Sequence, residues 1–406
     1  MTRKLIISTA AAAIAALAVT GMAGAAEYGP GASDTEIKIG NTNPYSGRAS
    51  AYGTIGKAIS AYFDKVNAEG GINGRKITFV SLDDGYNPAK TVEQTRKLVE
   101  QEGVLFLFQN LGTPTNSAIH KYVNGKKVPH LFVATGATKW GDPDNFPWTM
   151  GWQPSYQTEA RIYAKYILDN VADPKIGVLY QNDDYGKDYL KGLRDGLGAK
   201  ADDLIVSAVS YETSDATVDS QMVQLKESGA NVFVNITTPK WASQAIRKAN
   251  DLGWTPVHFL NNVSTSVTAV LKPAGLDKSK GIISSAYTKN PGDPAMKDDP
   301  GYQEWLAWMG KYYPDGNTGS TFNVYGYTVA QTLEQVLRQA GDDLTRENIM
   351  RQAASLKNLE LPLLLPGVVV DTGPADFRPI ERMRLQRFNG TSWELFGPVI
   401  EGGAGS

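Results

Sequence analysis

The stretch that decides the fold is VLFLFQNLGTPT, residues 104–115. Its first half, Val104 to Phe108, is an almost fully apolar run, which is typical of a strand that is buried on both faces of a sheet. The pair Thr113-Pro114 that follows is typical of the first turn of a helix. A buried strand followed directly by a helix is the repeating unit of a parallel sheet covered by helices.

The same alternation continues on both sides of this stretch. Strands are predicted at 36–40, 76–82 and 130–133, with helices over 51–67, from Pro88 to about 101, and after Pro114. A second series begins near Trp152, and its strands are predicted at 175–180, 204–209, 232–236 and 257–260. The stretch 282–356 is predicted to carry one more strand and two helices.

The end of the chain has a different pattern. Residues 368–370, 382–388 and 393–396 are predicted as short antiparallel strands, with Asn389-Gly390 as a hairpin turn. The sequence therefore predicts an α/β protein of two doubly wound parallel-sheet lobes with a β-rich end. A length of 406 residues agrees with two or three domains.

Composition excludes several classes of function. There are 0 Cys and 3 His in the chain, which excludes disulfides, thiolate nucleophiles and cysteine-based metal sites, and no metal or cofactor is expected. With a formal charge of −2, the chain has no excess of basic residues that would attract nucleic acid. The motifs G-x-S-x-G, G-x-x-x-x-G-K-[ST] and H-E-x-x-H are missing from the sequence, so we expect no catalytic residues and no enzyme.

Residues 1–26 are predicted to be a cleavable signal peptide. Arg3 and Lys4 precede an apolar run over 5–19, and Ala23-Gly24-Ala25 has the small residues of a cleavage site. The alternative is a buried N-terminal helix. Because the chain has no Cys to lipidate, we expect a soluble periplasmic protein and not a lipoprotein.

Ligands of open parallel sheets bind outside the carboxyl ends of the strands. The loops at these ends contain amides and hydroxyls that could bind a carboxylate. A helix beginning at Thr113-Pro114 would present free amides to a carboxylate, and Gly112 would let the ligand approach the backbone. Thr135, Gly136 and Thr138 would add hydroxyls and amides beside it. The alternative is that Thr113 only caps its helix and Gly136 only turns the chain.

Other residues in these loops are candidates for a cleft. The aromatic candidates are Tyr45, Tyr52, Tyr86, Trp152, Tyr185 and Trp241. Arg48 is either an ion-pair partner for an anionic ligand or a solvated loop charge. The pairs Asp83-Asp84 and Asp183-Asp184 are either acids for catalysis or metal, or helix-start and hinge groups, and the second interpretation is favoured.

Several segments carry a family resemblance. They are Ile37-Lys-Ile-Gly40, Pro44-Tyr-Ser-Gly47, Tyr52-Gly53, the string from Val66 to Gly74, Asp83-Asp84 with Pro88, and Asp184-Tyr-Gly186 with Gly192 and Gly196. Over roughly residues 35–400 the chain resembles the type I periplasmic solute-binding proteins of the branched-chain amino acid ABC transporters. The string Asn67 to Gly74 with the downstream Asp pair is the most specific part of this resemblance.

The resemblance implies two lobes joined by hinge crossovers around a cleft that closes on ligand. It places the N-terminal lobe at 27–151 and 284–360 and the C-terminal lobe at 152–283 and 361–400, followed by a frayed tail, 401–406. It also implies that the loops of Gly112-Thr113 and Gly136–Thr138 hold a ligand carboxylate, and that Tyr52, Tyr185 and Phe322 line the cleft. The predicted ligand-binding residues are Tyr45, Ser46, Arg48, Tyr52, Gly112, Thr113, Thr135, Gly136, Thr138, Trp152, Tyr185, Thr237 and Phe322.

One departure from the family bears on the ligand. Amino-acid binders of the family hold the ligand's ammonium with an acid after a strand like 257–260, and here Val263 falls near that position. The second-lobe loop is also changed, to Thr237-Thr-Pro-Lys-Trp241. Because a buried ammonium without a carboxylate is costly, we expect an aromatic or apolar organic acid, with a branched-chain amino acid or derivative as the second choice. The segments 43–47 and 112–114 are similar to members that bind hydroxycinnamates or benzoates.

The resemblance implies a monomer that delivers its ligand to an ABC permease and its ATPase subunits. A ligand sensor of the same fold that signals to a membrane receptor is the alternative. A periplasmic hydrolase is a remote third possibility, because no catalytic motif is present in the sequence.

Overall fold

The computed structural model describes residues 27–401. The predicted signal peptide, 1–26, and the end of the predicted tail, 402–406, lie outside these residues. The strands are β1 Glu27–Tyr28, β2 Glu36–Asn43, β3 Lys76–Asp83, β4 Phe106–Phe108, β5 His130–Val133, β6 Thr149–Gly151, β7 Ile176–Gln181, β8 Ile205–Tyr211, β9 Val232–Ile236, β10 Val257–Leu260, β11 Ile283–Ala286, β12 Asp343–Leu344, β13 Arg382–Phe388 and β14 Trp393–Glu401.

Helices alternate with these strands along the described chain. They are α1 Gly53–Ala68, α2 Pro88–Arg96, α3 Thr113–Gly125, α4 Tyr156–Asn170, α5 Asp184–Leu197, α6 Ala201–Leu204, α7 Asp219–Glu227, α8 Pro239–Asp251, α9 Lys272–Ala274, α10 Pro300–Tyr312, α11 Thr321–Ala340 and α12 Arg346–Ala353. The predicted helix from Pro88 to about 101 is present, with Asn87 as its side-chain cap and a π-helical end over Lys97–Gln101.

The first lobe is built on a five-stranded parallel sheet in the order β3-β2-β4-β5-β6. Its central strand β4 is completely buried, as its Phe-Leu-Phe sequence predicts. Helix α11 packs on α1 and brings its first turns to the end of this sheet. The contact is close at Gly326, where a Cβ would lie 2.8 Å from the Ala58 Cβ and 2.9 Å from the Ile55 carbonyl oxygen.

The second lobe is built on a seven-stranded sheet in the order β14-β13-β11-β10-β9-β7-β8. Strands β11, β10, β9, β7 and β8 are parallel, and the hairpin of β13 and β14 is added antiparallel to β11. The predicted α/β architecture of two parallel-sheet lobes with a β-rich end is thus confirmed.

Some boundaries differ from the prediction. The expected lobe boundary at 284 falls inside β11, which pairs with β10 and β13 of the second sheet, so the chain leaves this sheet only after Ala286. The stretch 282–356 carries three helices, α10, α11 and α12, and not two; the last is short, and the Thr345 side chain caps it.

Residues 368–370 do not form the predicted strand. Val370 makes only an isolated antiparallel bridge with Leu359, with two backbone hydrogen bonds of 2.9 Å. The turn at Gly367, with a φ of +84°, directly precedes the segment, and the Val368 amide donates within this turn to the Leu365 carbonyl. Glu401, placed in the predicted tail, is the last residue of β14. In residues 27–401, no helix has both the length and the apolar character to cross a membrane.

Candidate functional site

A chamber with an empty volume of about 780 Å³, including its opening to solvent, lies between the two lobes. The first lobe and α11 contribute Tyr52, Ile55, Tyr86, Leu111, Gly112, Thr113, Ala134, Thr321, Phe322 and Tyr325 to its lining. The rest of the lining comes from the second-lobe side: the crossover into that lobe, the lobe itself and the segment after β11. These residues are Gln153, Tyr156, Tyr185, Thr238, Asn262, Val263, Thr265, Ser285, Ala286, Tyr287, Thr288, Asn290 and Gln386.

The chamber is electrically neutral. Among the described residues that line it, there is no Asp, Glu, Lys, Arg or His. Val263 stands in the wall at the end of β10, where the resemblance predicts that the acid of amino-acid binders is missing. The lining therefore offers hydroxyl, amide, aromatic and aliphatic groups and no charged side chain.

Aromatic rings form much of the wall. Tyr52 and Phe322 meet with ring centroids 5.2 Å apart, and Tyr156 and Tyr185 meet edge to face at 5.2 Å. Tyr325 lies on α11 one helical turn after Phe322, so both reach the chamber from one face of the helix. Such walls bury a large apolar area and offer few polar atoms.

Three groups predicted to hold a carboxylate are neighbours in the structure, and we call them the cradle: the hydroxyls of Thr113 and Thr135 and the backbone amide of Gly136, the next residue in the chain. The two hydroxyl oxygens are 2.6 Å apart. Burial raises the pKa of the neighbouring Tyr156 phenol to about 12, and the three groups of the cradle oppose this shift. Tyr156 is therefore a neutral phenol at physiological pH.

The helix that begins at the cradle differs in one detail from the prediction. Gly112, with a φ of +100°, is the N-cap of α3, and Thr113 is its first helical residue. A Cβ on Gly112 would lie 2.4 Å from the Tyr86 ring, so both the backbone conformation and the space require glycine there. The Thr113 hydroxyl is thus free of a capping role and bonds Thr135 instead.

Three buried side chains of the lining have polar atoms with no geometric hydrogen-bond partner. They are the Nε2 of Gln153, the phenolic oxygen of Tyr185 and the Oγ of Ser285, whose residues are 8%, 2% and 1% exposed. Tyr325 donates a 3.3 Å hydrogen bond to the Gln153 Oε1, which leaves the Nε2 hydrogens unused. Buried polar atoms are almost always bonded, so these three atoms are suited to a ligand.

Behind the second-lobe wall lies a buried carboxylate, Glu159. It accepts hydrogen bonds from the Tyr189 hydroxyl at 2.6 Å and from the Asn262 backbone amide at 2.8 Å, and also from the Tyr163 hydroxyl and the Asn262 side chain. Burial outweighs these donors and raises the pKa of Glu159 to about 7. Glu159 does not line the chamber, but it holds Asn262, which does.

The structure brings Tyr52, Gly112, Thr113, Tyr185 and Phe322 of the predicted residues to the chamber. Thr135 and Gly136 lie directly behind them in the cradle. The binding roles of all of these residues stay predictions.

Other residues that were predicted to bind the ligand do not line this chamber. The Tyr45 hydroxyl lies 2.5 Å from the Ser81 Oγ, and the Ser46 hydroxyl donates to Asp83 at 2.6 Å, so the loop at 43–47 closes on its own lobe. The Thr138 hydroxyl donates to Asp188 at 2.9 Å.

Trp152 and Thr237 also do not line the chamber. Trp152 is completely buried and donates from Nε1 to the Thr332 hydroxyl at 3.0 Å, so it packs behind the wall. Thr237 donates to the Asn235 side chain at 2.6 Å, and the next residue, Thr238, lines the chamber in its place.

Arg48 does not line the chamber; its exposed guanidinium contacts the other lobe. Its guanidinium donates to backbone carbonyls of the second-lobe turn 213–215, at 3.2 Å to Thr213 and 3.0 Å to Asp215, and also to Ser214. Tyr52 makes a second bond of this kind, from its hydroxyl to the Val263 carbonyl at 3.1 Å. Both bonds join the two lobes across the mouth and wall of the chamber.

The paired acids have structural roles. Asp83 accepts from backbone amides of its loop and from Lys90, which lowers its pKa to about 2, although burial opposes this. Asp183 is the side-chain cap of α5, and Asp184 forms an ion pair with Lys139 at 2.6 Å. These contacts agree with the favoured interpretation, in which the Asp pairs are helix-start and hinge groups.

Sequence reasoning missed the residues of the first crossover, Gln153 and Tyr156. Gln153 lies in the crossover before α4, where no helical or strand period marks it. Tyr156 is the first residue of α4 and precedes Ala160 by four residues, so the helical spacing could have indicated that it is buried. Tyr325 and Asn262 could have been found: the first by helical spacing from Phe322, the second as the residue before Val263 at a strand end.

We expect Arg48→Ala to weaken the closed arrangement of the lobes. Removing the guanidinium leaves the carbonyls of 213–215 to water, and a charge-assisted bond of this kind contributes about 1 kcal/mol at an exposed site. Small-angle scattering of the ligand-free variant should show a larger radius of gyration than wild type. Arg194→Ala, whose ion pair with Asp202 lies within the second lobe, is the control. Identical scattering of Arg48→Ala and wild type would contradict this role.

Comparison with known proteins decides the family. The family model described as Periplasmic binding protein matches residues 36–392. The chain belongs to the periplasmic binding protein family. This binding protein is similar to the Leu/Ile/Val-binding protein homolog 8 of Brucella abortus strain 2308, with 23% identity over 342 residues that cover 80% of this chain and 81% of the relative.

Solved structures share the fold of this binding protein. A branched chain amino acid ABC transporter from Thermus thermophilus with bound valine superposes with a TM-score of 0.81 at 17% identity, covering 91% of this chain and 97% of that one. A fatty acid ABC transporter substrate-binding protein from Thermomonospora curvata gives a TM-score of 0.73 at 22% identity, covering 93% and 94%. The fold is that of the type I periplasmic binding proteins, as the resemblance implies.

Family membership also bears on activity and location. The family consists of solute-binding proteins and not of enzymes, and it implies a periplasmic location. The chamber between the lobes is the place in this fold where a solute would bind.

Proposed function

We propose that this binding protein is the substrate-binding component of an ABC importer that captures a small aromatic or apolar organic acid between its lobes. The protein would be exported through residues 1–26, act in the periplasm as a monomer and deliver its ligand to a permease with its ATPase subunits. The titles of the two solved structures above describe ABC transporter proteins, one for a branched chain amino acid and one for a fatty acid, which supports this class of role.

The observation that carries the choice of ligand is the neutral, aromatic wall of the chamber. An amino acid would bring its ammonium against Val263 and neutral side chains, and a buried ammonium without a carboxylate partner is costly. An acid without an α-amino group avoids this cost, and its apolar body fits the rings of Tyr52, Phe322 and Tyr325. A branched-chain amino acid or a derivative is the second choice, because the relatives carry Leu/Ile/Val-binding names.

A thermal-shift panel tests this ligand class. The mature protein is heated with L-leucine, L-valine, benzoate, trans-cinnamate or succinate, and a ligand that binds only the folded state raises the midpoint. We expect the aromatic acids to raise it and the amino acids to leave it unchanged. A clear shift with leucine or valine and none with the aromatic acids would contradict the proposal.

Val263→Glu should reverse the ligand preference. The new carboxylate would face the chamber, repel an aromatic acid and pair with the ammonium of leucine, so the thermal shift with trans-cinnamate should disappear and one with leucine should appear. Val263→Gln is the matched control, because it has the same length and no charge. Equal responses of the two variants to both compounds would show that Val263 is not beside the ligand.

A further inference from the structure

Asn290 lines the chamber from the segment that follows β11. The residue is 6% exposed, and its Nδ2 donates a 2.6 Å hydrogen bond to the Gln386 Oε1. Gln386, on β13, is 1% exposed, and its own Nε2 donates to the Ser285 carbonyl at 3.1 Å. This chain of bonds fixes the orientation of both amides, because only the nitrogen of an amide donates and only the oxygen accepts.

The chain of bonds leaves the oxygen of Asn290 for the chamber. Since the Nδ2 faces Gln386, the Oδ1 on the other arm of the planar amide is turned away from Gln386, and it accepts no hydrogen bond from the described residues. Unlike the buried unpartnered atoms of Gln153, Tyr185 and Ser285, this oxygen also keeps exposed surface. An amide oxygen only accepts, so a donor on a ligand can satisfy it and a carboxylate oxygen cannot.

Asn262, the other asparagine of the lining, is oriented in the same way. Its backbone amide donates to one carboxylate oxygen of Glu159 at 2.8 Å, and its Nδ2 donates to the other. Glu159 is completely buried behind the wall, so the Nδ2 points away from the chamber. The Asn262 Oδ1 accepts no hydrogen bond from the part of the chain that the structure describes. Both asparagines of the wall therefore have the oxygen as their unused atom.

Gln153 has the opposite polarity, because its Nε2 is the atom without a partner. The chamber thus has a donor on the first crossover and acceptors on the second-lobe side. An ionised acid without another polar group offers only oxygens. Its binding would take water from the oxygens of Asn290 and Asn262 without replacing the lost hydrogen bonds, which is costly. A hydroxyl on its apolar body would remove this cost.

We propose that the Asn290 Oδ1 accepts a hydrogen bond from the ligand, and that Gln386 is the positioning residue that turns this oxygen to the chamber. The inference rests on the proposed function and narrows its ligand class to organic acids whose apolar body carries an uncharged O–H or N–H donor. An acid without such a donor binds more weakly. An ammonium is still disfavoured, because amide oxygens do not replace a carboxylate charge.

The first experiment measures the orientation of the amide without a ligand. In the mature protein with isotope-labelled asparagine, NMR follows the exchange of the Nδ2 hydrogens with water, and Asn290→Asp and Asn87→Asp identify two of the signals. Asn87 is the control, because it is exposed and its Oδ1 is the bonded atom. Exchange at Asn290 should be at least about tenfold slower than at Asn87. Equal exchange at the two residues would overturn the orientation.

The second experiment compares the meta and para hydroxyl derivatives of trans-cinnamate with the corresponding methyl derivatives by calorimetry. The methyl group has a similar size and is more apolar, so tighter binding of a hydroxyl compound reports a hydrogen bond. The better hydroxyl compound should bind at least about tenfold tighter than its methyl counterpart, and Asn290→Leu should reduce this ratio below about threefold. A ratio near one in wild type would overturn the proposal. So would a ratio that Asn262→Leu removes and Asn290→Leu preserves.

The same ratio tests the positioning role of Gln386. Gln386→Met has a similar length but no acceptor for the Asn290 Nδ2, and it should reduce the ratio as Asn290→Leu does. Gln386→Glu keeps an acceptor and should keep the ratio. A merely structural role would weaken the hydroxyl and methyl compounds equally, so an unchanged ratio in Gln386→Met would overturn the positioning role.

These experiments separate the failure of this inference from the failure of the proposed function. If the acids bind without preference for a hydroxyl, the proposed function stands and the inference is wrong. If none of the acids binds, the ligand class of the proposed function is wrong, and the exchange measurement on wild type still decides how Asn290 is oriented. That measurement also decides if a variant does not fold.

Discussion

Gly136→Ala should lower the free energy of unfolding by about 1–3 kcal/mol, because overpacking a filled site has this cost. The added methyl group would lie 2.5 Å from the Pro154 carbonyl oxygen and 2.7 Å from the Tyr156 ring. The carbonyl belongs to the crossover backbone and cannot move away alone. The ring is held by its stack on Tyr189, so the strain reaches the cradle, the crossover and α4 together.

Denaturant unfolding of the variant and of wild type measures this loss. Gly125→Ala is the matched control, because Gly125 lies in α3 and a Cβ there would meet no atom within 4 Å. The control should be neutral or slightly stabilising, since alanine restricts the unfolded chain. Equal stability of the two variants would mean that Tyr156 does not pack on Gly136.

Glu159→Gln should remove a pH dependence of stability. Burial raises the pKa of Glu159 from 4.5 to about 7 in the folded protein. Between these values the folded protein keeps a proton that the unfolded chain has lost, so the contribution of this group is full below pH 4.5 and is lost as the pH rises through 7. At about 1.4 kcal/mol per pKa unit, the change amounts to about 3 kcal/mol.

The measurement is the difference in unfolding free energy between wild type and Glu159→Gln from pH 4.5 to 8. Taking the difference cancels the other titrating groups, including the buried histidines. We expect wild type to lose about 3 kcal/mol relative to the variant as the pH rises across this range. Parallel stability curves would show that the four donors keep Glu159 ionised throughout. Since Asn262 is bonded to Glu159, the same titration acts on the chamber wall.

The architecture could be predicted from the sequence because its signals are local. Completely buried strands such as β4 and β9 read as apolar runs, and Asn87-Pro88 marks a helix start by its own side chain. The positions of Gly112 and Thr113 at the chamber could also be predicted locally, because ligands bind at strand ends and these residues follow a strand that the sequence marks clearly. Residues 368–370 show the limit: an apolar triplet becomes a strand only if a neighbouring strand is there to pair with it.

The parts of the site that were missed depend on contacts between distant segments. Nothing in the loop sequence states that Arg48 meets the carbonyls of 213–215, some 165 residues later. Likewise, the Tyr156 ring packs on Gly136 because the crossover folds back over that residue, and this path follows from how the two lobes meet. Strand-end loops predict where a site is, whereas the packing between lobes decides which of their side chains reach it.

Calorimetric titration of the mature protein with trans-cinnamate and with L-leucine tests the central claim most directly, namely that the neutral chamber accepts an apolar acid and rejects a zwitterion. The account predicts saturable binding of one trans-cinnamate per chain and no measurable heat of binding with leucine. Tight, saturable binding of leucine would contradict it, because the chamber would then hold an ammonium without a charged partner in its wall.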